Sequence, residues 1–381
     1  MKQLEGSLFS LQKPTCGTKP IQGNTFIPSI INHTDKLFEM TFYICGGRTH
    51  STERNTRNIL SDIVKFKYSS RSKLNDDCNS NSCKIEHVPM KKDVKLDSPR
   101  HNHTSLYFES IDSIVTFGGS NTELYMDSIF VMNIHDERKQ EVLKRNKETV
   151  WPQTRHGHTA NIYKKDQMIV FGGKKGFGVD SDSFLNDLWS FNVTTNEWEK
   201  IKSLNSAPRE RCWHSSVIYK ERFLLVSGGF YTLDGSECYL NDLWSFDMET
   251  KLWNCLIQDD DKKTCKMYQR NRSGIIVSEN ALFIMFGNYY DGYKDLFLTD
   301  IFYVDDLHSI LFEKDSLLPI WKQLQIQPQD EQAKTLLTEG RGHISSVLLS
   351  ENEKFIQVML FGGESFMKRH DNFFILKIDK M

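Results

Sequence analysis

The sequence predicts an all-β chain folded as a six-bladed β-propeller. Three observations carry this expectation. A short apolar run closing on glycine recurs six times along the 381 residues. A second run, opened by an Arg/His signature, precedes most copies, and a third run with paired tryptophans follows the best of them. The three runs keep one order throughout, which marks a repeat architecture and not a two-sheet sandwich with coincidental glycines.

The anchor run reads FYICGG at 42–47, IVTFGG at 114–119, MIVFGG at 168–173, LLVSGG at 224–229 and VMLFGG at 358–363. A degenerate copy, FIMFGN, lies at 283–288 and carries Asn288 where a second glycine is expected. Short β-branched and aromatic runs bounded by glycine are strand signals. The pairs Gly118–Gly119, Gly172–Gly173, Gly228–Gly229 and Gly362–Gly363 permit positive φ and close backbone approach where inner strands crowd. Blades are expected to centre on Gly46, Gly118, Gly172, Gly228, Gly287 and Gly362, spaced 72, 54, 56, 59 and 75 residues apart. The first and fifth blades therefore carry insertions.

The run before each anchor reads SPRHNHTSL, QTRHGHTANI, RERCWHSSVI, QRNRSGIIV and GRGHISSVLL, with KPIQGNTFI in the first repeat. The run after it reads NDLWSFNVTTNEWEKI at 186–201 and NDLWSFDMETKLWNCL at 241–256, with weaker copies elsewhere. Trp189, Trp198, Trp244 and Trp253 are suited to filling the gaps between neighbouring blades, where large aromatic area is buried.

This combined pattern resembles the kelch-repeat family over nearly the whole chain, most closely at 157–256. The resemblance implies four-stranded antiparallel blades with strand one innermost. It also implies a structural, hydrogen-bonding role at a strand start for His158 and His214, and for His103 and His343, which are assigned to the same repeat position. That reading is favoured over a ring of four metal-binding histidines.

The last repeat ends after its third run, so one strand is missing. Residues 7–12, SLFSLQ, are a spare strand placed to complete that blade and lock the ring, with Phe9 and Leu11 at the apolar positions. The expected organisation is thus a single propeller over 1–381, with no adaptor domain outside the ring. The insertions 69–82, 135–150, 257–270 and 305–319 are the least repetitive parts, and the charged 135–150 stretch has room for a short helix.

A chain with 39% apolar and 12% aromatic residues can build a large core without staples. Its net charge of −2 lacks the basic excess that a nucleic-acid partner usually requires. No apolar run is long enough for a membrane helix, and the N-terminus lacks a continuous apolar signal region. The eight cysteines show no framework spacing. Free thiols in a cytoplasmic or nuclear setting fit best. Cys78, Cys83 and His87 lack a fourth ligand for zinc. Gly172–Gly176 lacks the spacing of a phosphate loop. No metal, cofactor or catalytic constellation is expected.

Binding remains. In kelch proteins of the substrate-receptor kind, partners meet the loops after the double glycines and those entering the inner strands. Carried onto this chain, the second set places Arg100, Arg155, Arg209, Arg211, Arg270, Arg272 and Arg341 around a mouth. Such a ring favours acidic side chains, a phosphate or a peptide C-terminus. Tyr231, Tyr289, Tyr290, Tyr293 and Phe366 would supply aromatic anchors. The competing reading of each arginine is a blade-to-blade hydrogen bond or salt bridge. The expectation is a protein-binding scaffold, with charge reversal at Arg155 and Arg211 abolishing capture but not folding. The alternative is a small-molecule enzyme or specifier in the central funnel, which would need a closed apolar cavity with converging carboxylates.

Overall fold

The computed structural model describes residues 4–11, 25–34, 37–51, 56–70, 83–90, 94–137, 139–146, 148–176, 183–258, 267, 269–290, 295–304, 307–313, 319–365 and 368–380. Six antiparallel sheets form the blades of a propeller. Blade one holds Thr25–Thr34, Leu37–Cys45, Ile63–Ser70 and Cys83–Val88. Blade two holds Thr104–Phe108, Ser113–Phe117, Ile129–Asn133 and Gln140–Leu143. Blade three holds Thr159–Tyr163, Gln167–Lys174, Phe184–Asn192 and Glu197–Ile201. Blade four holds Ser215–Tyr219, Phe223–Ser227, Leu243–Asp247 and Leu252–Ile257. Blade five holds Gly274–Val277, Leu282–Met285, Ile301–Val304 and Lys322–Gln323.

Blade six closes the ring. Its strands Ser345–Glu351, Phe355–Phe361 and Phe373–Asp379 are joined by Glu5–Ser10, which pairs antiparallel with Phe373–Asp379. The closing strand thus begins two residues before the expected 7–12. Leu8 is fully buried between blades five and six, and Leu11 just past the strand is buried between blades six and one. The side chain of Phe9, and residue 12, lie outside the described residues. Blade six also exceeds four strands. Gln325–Pro328 pairs parallel to Glu5–Ser10 on its outer side, directly after the last strand of blade five. Helix Glu331–Glu339, capped by the Asp330 carboxylate on Ala333 N–H at 2.8 Å, packs Ala333 and Leu336 into the same cluster as Leu8.

Among the described residues the core divides into one cluster at each of the six blade junctions and a seventh near the mouth. Strand alternation feeds them: Met168 and Val170 face blade two, whereas Ile169 and Phe171 face blade four. Trp198 fills the junction of blades two and three against Phe117, Trp151, Trp189 and Phe191. Trp253 repeats the role at the next junction against Phe171 and Phe246. Trp189 is buried as well, while Trp244 is only partly so. The charged 135–150 stretch contributes the edge strand Gln140–Leu143, not a helix, because pairing with Ile129–Asn133 outweighs its helix-permissive composition. Within 305–319, Ser309–Glu313 is a π-helical turn that covers blade five.

The double glycines are required by their neighbours. A Cβ on Gly118 would lie 2.7 Å from the Arg155 carbonyl and 2.8 Å from the His158 ring, both from the next blade. A Cβ on Gly119 would meet His103 of its own blade at 2.7 Å. In the fifth copy the register corrects the expected anchor. Phe286 (φ +57°) takes the first position and Gly287 (φ +106°) the second. The Gly287 N–H donates to the Arg341 carbonyl as Gly119 N–H does to that of Arg155. The lost glycine is therefore the first one, and Asn288 is the residue after the pair. Phe286 shares a cluster with Ile344, which stands where blades two, three and four place a histidine.

Candidate functional site

Five of the seven candidate arginines are structural. Arg100, Arg155, Arg211, Arg270 and Arg341 are buried, at most 3% exposed. Each donates to a backbone carbonyl: Gly118, Gly172, Gly228, Phe286 and Gly340 respectively, at 2.9–3.1 Å. Each also meets a carboxylate, since a buried guanidinium needs compensation. Arg155 is bidentate to Asp187 and Arg211 to Asp242, both Asp residues of the NDLW core. Arg270 pairs with Asp300, the equivalent residue of blade five. Blades two and six carry Ser128 and Asn372 at that place, and there upstream acids substitute: Asp97 for Arg100 and Glu339 for Arg341. Burial raises the Asp187 carboxyl pKa, and the Arg155 hydrogen bonds and charge more than reverse this, holding it below the usual range.

The histidines divide in the same way. His158 and His214 bond through Nε2 to the hydroxyls of Thr104 and Thr159 in the preceding blade, at 2.8 Å each. Burial, reinforced by the neighbouring arginine, holds both well below the usual imidazole pKa, and His103 is pushed down to about 3 for the same reasons. His343 does not share their position. It stands two residues after its arginine, not three, and so matches Asn102, Gly157, Trp213 and Arg272.

That second position after each arginine builds the mouth of the funnel. All five residues have φ between +51° and +62°. Their backbones form a ladder from blade to blade: Gly157 N–H donates to Asn102, Trp213 to Gly157, Arg272 to Trp213 and His343 to Arg272, at 2.7–2.9 Å. A left-handed tryptophan costs on the order of 1–3 kcal/mol and persists only where the surroundings over-determine it. Here the indole lines the central pocket. A Cβ on Gly157 would stand 2.7 Å from it, the Arg272 guanidinium sits 3.9 Å from its centroid, and Phe230 stacks on it at 5.1 Å. Glu364 of blade six reaches Arg272 at 3.4 Å and His343 at 3.7 Å.

The mouth gathers basic side chains, with Glu364 among them. His156, beside Trp213 and Tyr125, is pushed down to about 3 by burial first and then by His101, Lys174, Arg272 and Arg48. Next to the axis, Phe184, Phe230 and Tyr239 form an aromatic patch bordered by Trp213, Tyr231 and Tyr289. Arg209 is exposed, with its guanidinium 4.5 Å from the Tyr231 centroid. Lys174 stands over Phe184 at 5.0 Å. Of the expected anchors, Tyr231 and Tyr289 therefore reach this face. Tyr293, Phe366 and the side chain of Tyr290 lie outside the described residues, as does Cys78. Among the described residues, a pocket of about 160 Å³ lies beneath, lined among others by Asn102, His158, Trp213, Arg272 and His343. The expected ring of seven arginines around the mouth does not form: Arg100, Arg155, Arg211, Arg270 and Arg341 are clamped inside the blades, and Arg209 and Arg272 remain at the face.

Arg48 and Lys174 fall in the expected loops after the double glycines, 48–58 and 174–185, whereas His156 and Trp213 were not singled out. The signal was present in the aligned copies, where the residues after each arginine and each glycine pair vary while their flanks repeat.

The family model described as the KLHDC2/KLHL20/DRC7 Kelch-repeats domain matches residues 32–287. The chain is 28% identical over 177 residues to the host cell factor homolog hcf-1 of Caenorhabditis elegans, covering 42% of this chain and 22% of that protein. It is 30% identical over 146 residues to mouse Kelch domain-containing protein 1, covering 37% and 34%. The human protein of that name is 29% identical over 164 residues, covering 42% and 38%. The matched segments thus span well under half of each relative's length. The solved structure titled "Structure of YjhT" superposes with a TM-score of 0.59 over 97% of this chain and 99% of that one, at 15% identity, a likeness of fold alone.

Proposed function

This chain belongs to the kelch-repeat family, and on that premise we propose that it is a protein-interaction scaffold whose loop face receives an acidic or C-terminal segment of a partner. The observation that carries this reading is the gathering of Arg48, Lys174, Arg272 and His101 around His156, whose pKa is lowered first by burial and further by these groups. Basic side chains gathered on one face favour an approaching carboxylate. The neighbouring tyrosines, Trp213 and Phe230 supply rigid aromatic area of the kind that dominates binding energy. The named relatives that contain kelch domains are consistent with a binding role. The funnel-sited enzyme is less well supported, because about 160 Å³ falls below the 300–1,000 Å³ typical of small-molecule pockets.

A peptide panel tests the reading. Acidic peptides with free C-termini should bind the full chain, and Arg272→Gln or Lys174→Gln should weaken them by roughly tenfold, the scale of one charge-assisted hydrogen bond. A preference for neutral or basic peptides, or indifference to both substitutions, would overturn it.

A further inference from the structure

An exposed strand edge lies on the rim of blade three, away from the funnel. Its logic is visible in blade four, where the edge of the outermost strand is not left bare. The linker from blade three runs beside that edge, and Asn205 pairs with it. Asn205 Nδ2 donates to the Trp253 carbonyl at 2.7 Å, and Trp253 N–H donates to Asn205 Oδ1 at 2.8 Å. One carboxamide thus stands in for a neighbouring strand, satisfying an outward-facing donor and acceptor.

Blade three has the same edge without the carboxamide. Trp198 is opposite Phe191 as Trp253 is opposite Phe246, so its N–H and C=O face outward in the same sense. The linker residue matching Asn205, three before the shared proline, is Thr149. Its single hydroxyl is shorter than a carboxamide and is turned to the Asn146 carbonyl at 3.5 Å. The linker instead folds on itself, with Asn146 Oδ1 accepting from Glu148 and Thr149 N–H at 2.9 Å each. A cavity of about 530 Å³ opens where the carboxamide would lie, bounded by Thr149, Trp151, Trp198 and the glutamates 148, 197 and 199. Val150 beside it is 63% exposed, and Trp198 Nε1 is buried without a partner among the described residues.

We propose that this cavity docks an extended, lysine- or arginine-flanked segment of a partner protein that seats an asparagine side chain against the Trp198 backbone. The carboxamide follows from the pairing that Asn205 makes one blade further on. The basic flanks follow from the three exposed glutamates on the rim. The extended conformation follows from the strand edge it must run along. The site is independent of the funnel mouth, so a partner can bridge the two or two partners can share the ring.

The chain supplies its own probe. A fluorescent peptide of residues 203–208, flanked by two lysines on each side, is titrated against the full-length protein and followed by polarisation. Saturable binding is expected, weakened by roughly tenfold or more by Asn205→Leu in the peptide, which removes two neutral hydrogen bonds. Thr149→Asn in the protein should abolish it by seating a carboxamide in cis, with an unchanged or higher melting temperature. Glu197→Lys with Glu199→Lys should weaken it and flatten its salt dependence. No saturable binding overturns the proposal, as does equal binding by the Asn205→Leu peptide or by a folded Thr149→Asn protein.

Discussion

A guanidinium with no exposed surface, as at Arg155 and Arg211, is committed to the blade that holds it. Removing it leaves the partly buried Asp187 or the buried Asp242 without its cation, held only by the Trp189 or Trp244 indole N–H, and strips a donor from the Gly172 or Gly228 carbonyl. Arg155→Ala should therefore cost about 3–5 kcal/mol of folding stability, read from denaturant unfolding. A loss below about 1 kcal/mol would contradict the clamp. The buried histidines make a second prediction at this scale. Their folded pKa values lie below the unfolded value of about 6.5, so the unfolded chain binds more protons as pH falls. The stability they favour is intact above about pH 6.5 and is lost progressively below it, down to about 3 for His103. His158→Gln should reduce the slope of stability between pH 6.5 and 4. An unchanged slope would show that the imidazole charges freely in the fold.

At the scale of the element, closure of the ring rests on one strand held from both sides. Glu5–Ser10 is bonded to the C-terminal strand, to Gln325–Pro328 and to Leu8-contacting helix residues at once. Deleting residues 1–13 should lower the melting temperature sharply, and Leu8→Ala alone should cost about 2–5 kcal/mol as a buried large-to-small change. An unchanged melting curve after the deletion would remove the strand from the account. The sequence made this element legible because a repeat with a missing strand must find one. It did not reveal the parallel fifth strand, since Gln325–Pro328 carries no repeat pattern and is held by position alone. Phe286 was misread for a related reason: a glycine position was sought by residue type, whereas the register assigns it by backbone φ and by the carbonyl that Arg270 holds.

For the whole molecule, repetition and individuality separate cleanly. What repeats, namely glycine pairs, buried arginines, histidines and paired tryptophans, builds the ring, and this was readable from one chain. What does not repeat, namely Arg48, Lys174, Trp213, Arg272, Glu364 and the Thr149 edge, decorates the mouth and rim. The candidate arginines were read as one class because they share a motif. Geometry divides them into five clamps and two residues, Arg209 and Arg272, stacked on aromatic rings at the face. That division is the central claim. It is tested most directly by measuring thermal unfolding and acidic-peptide capture side by side for two double variants. Arg155→Glu with Arg211→Glu should unfold the protein, whereas Lys174→Glu with Arg272→Gln should melt close to the parent and lose capture. A folded Arg155/Arg211 variant that fails only in capture would contradict it.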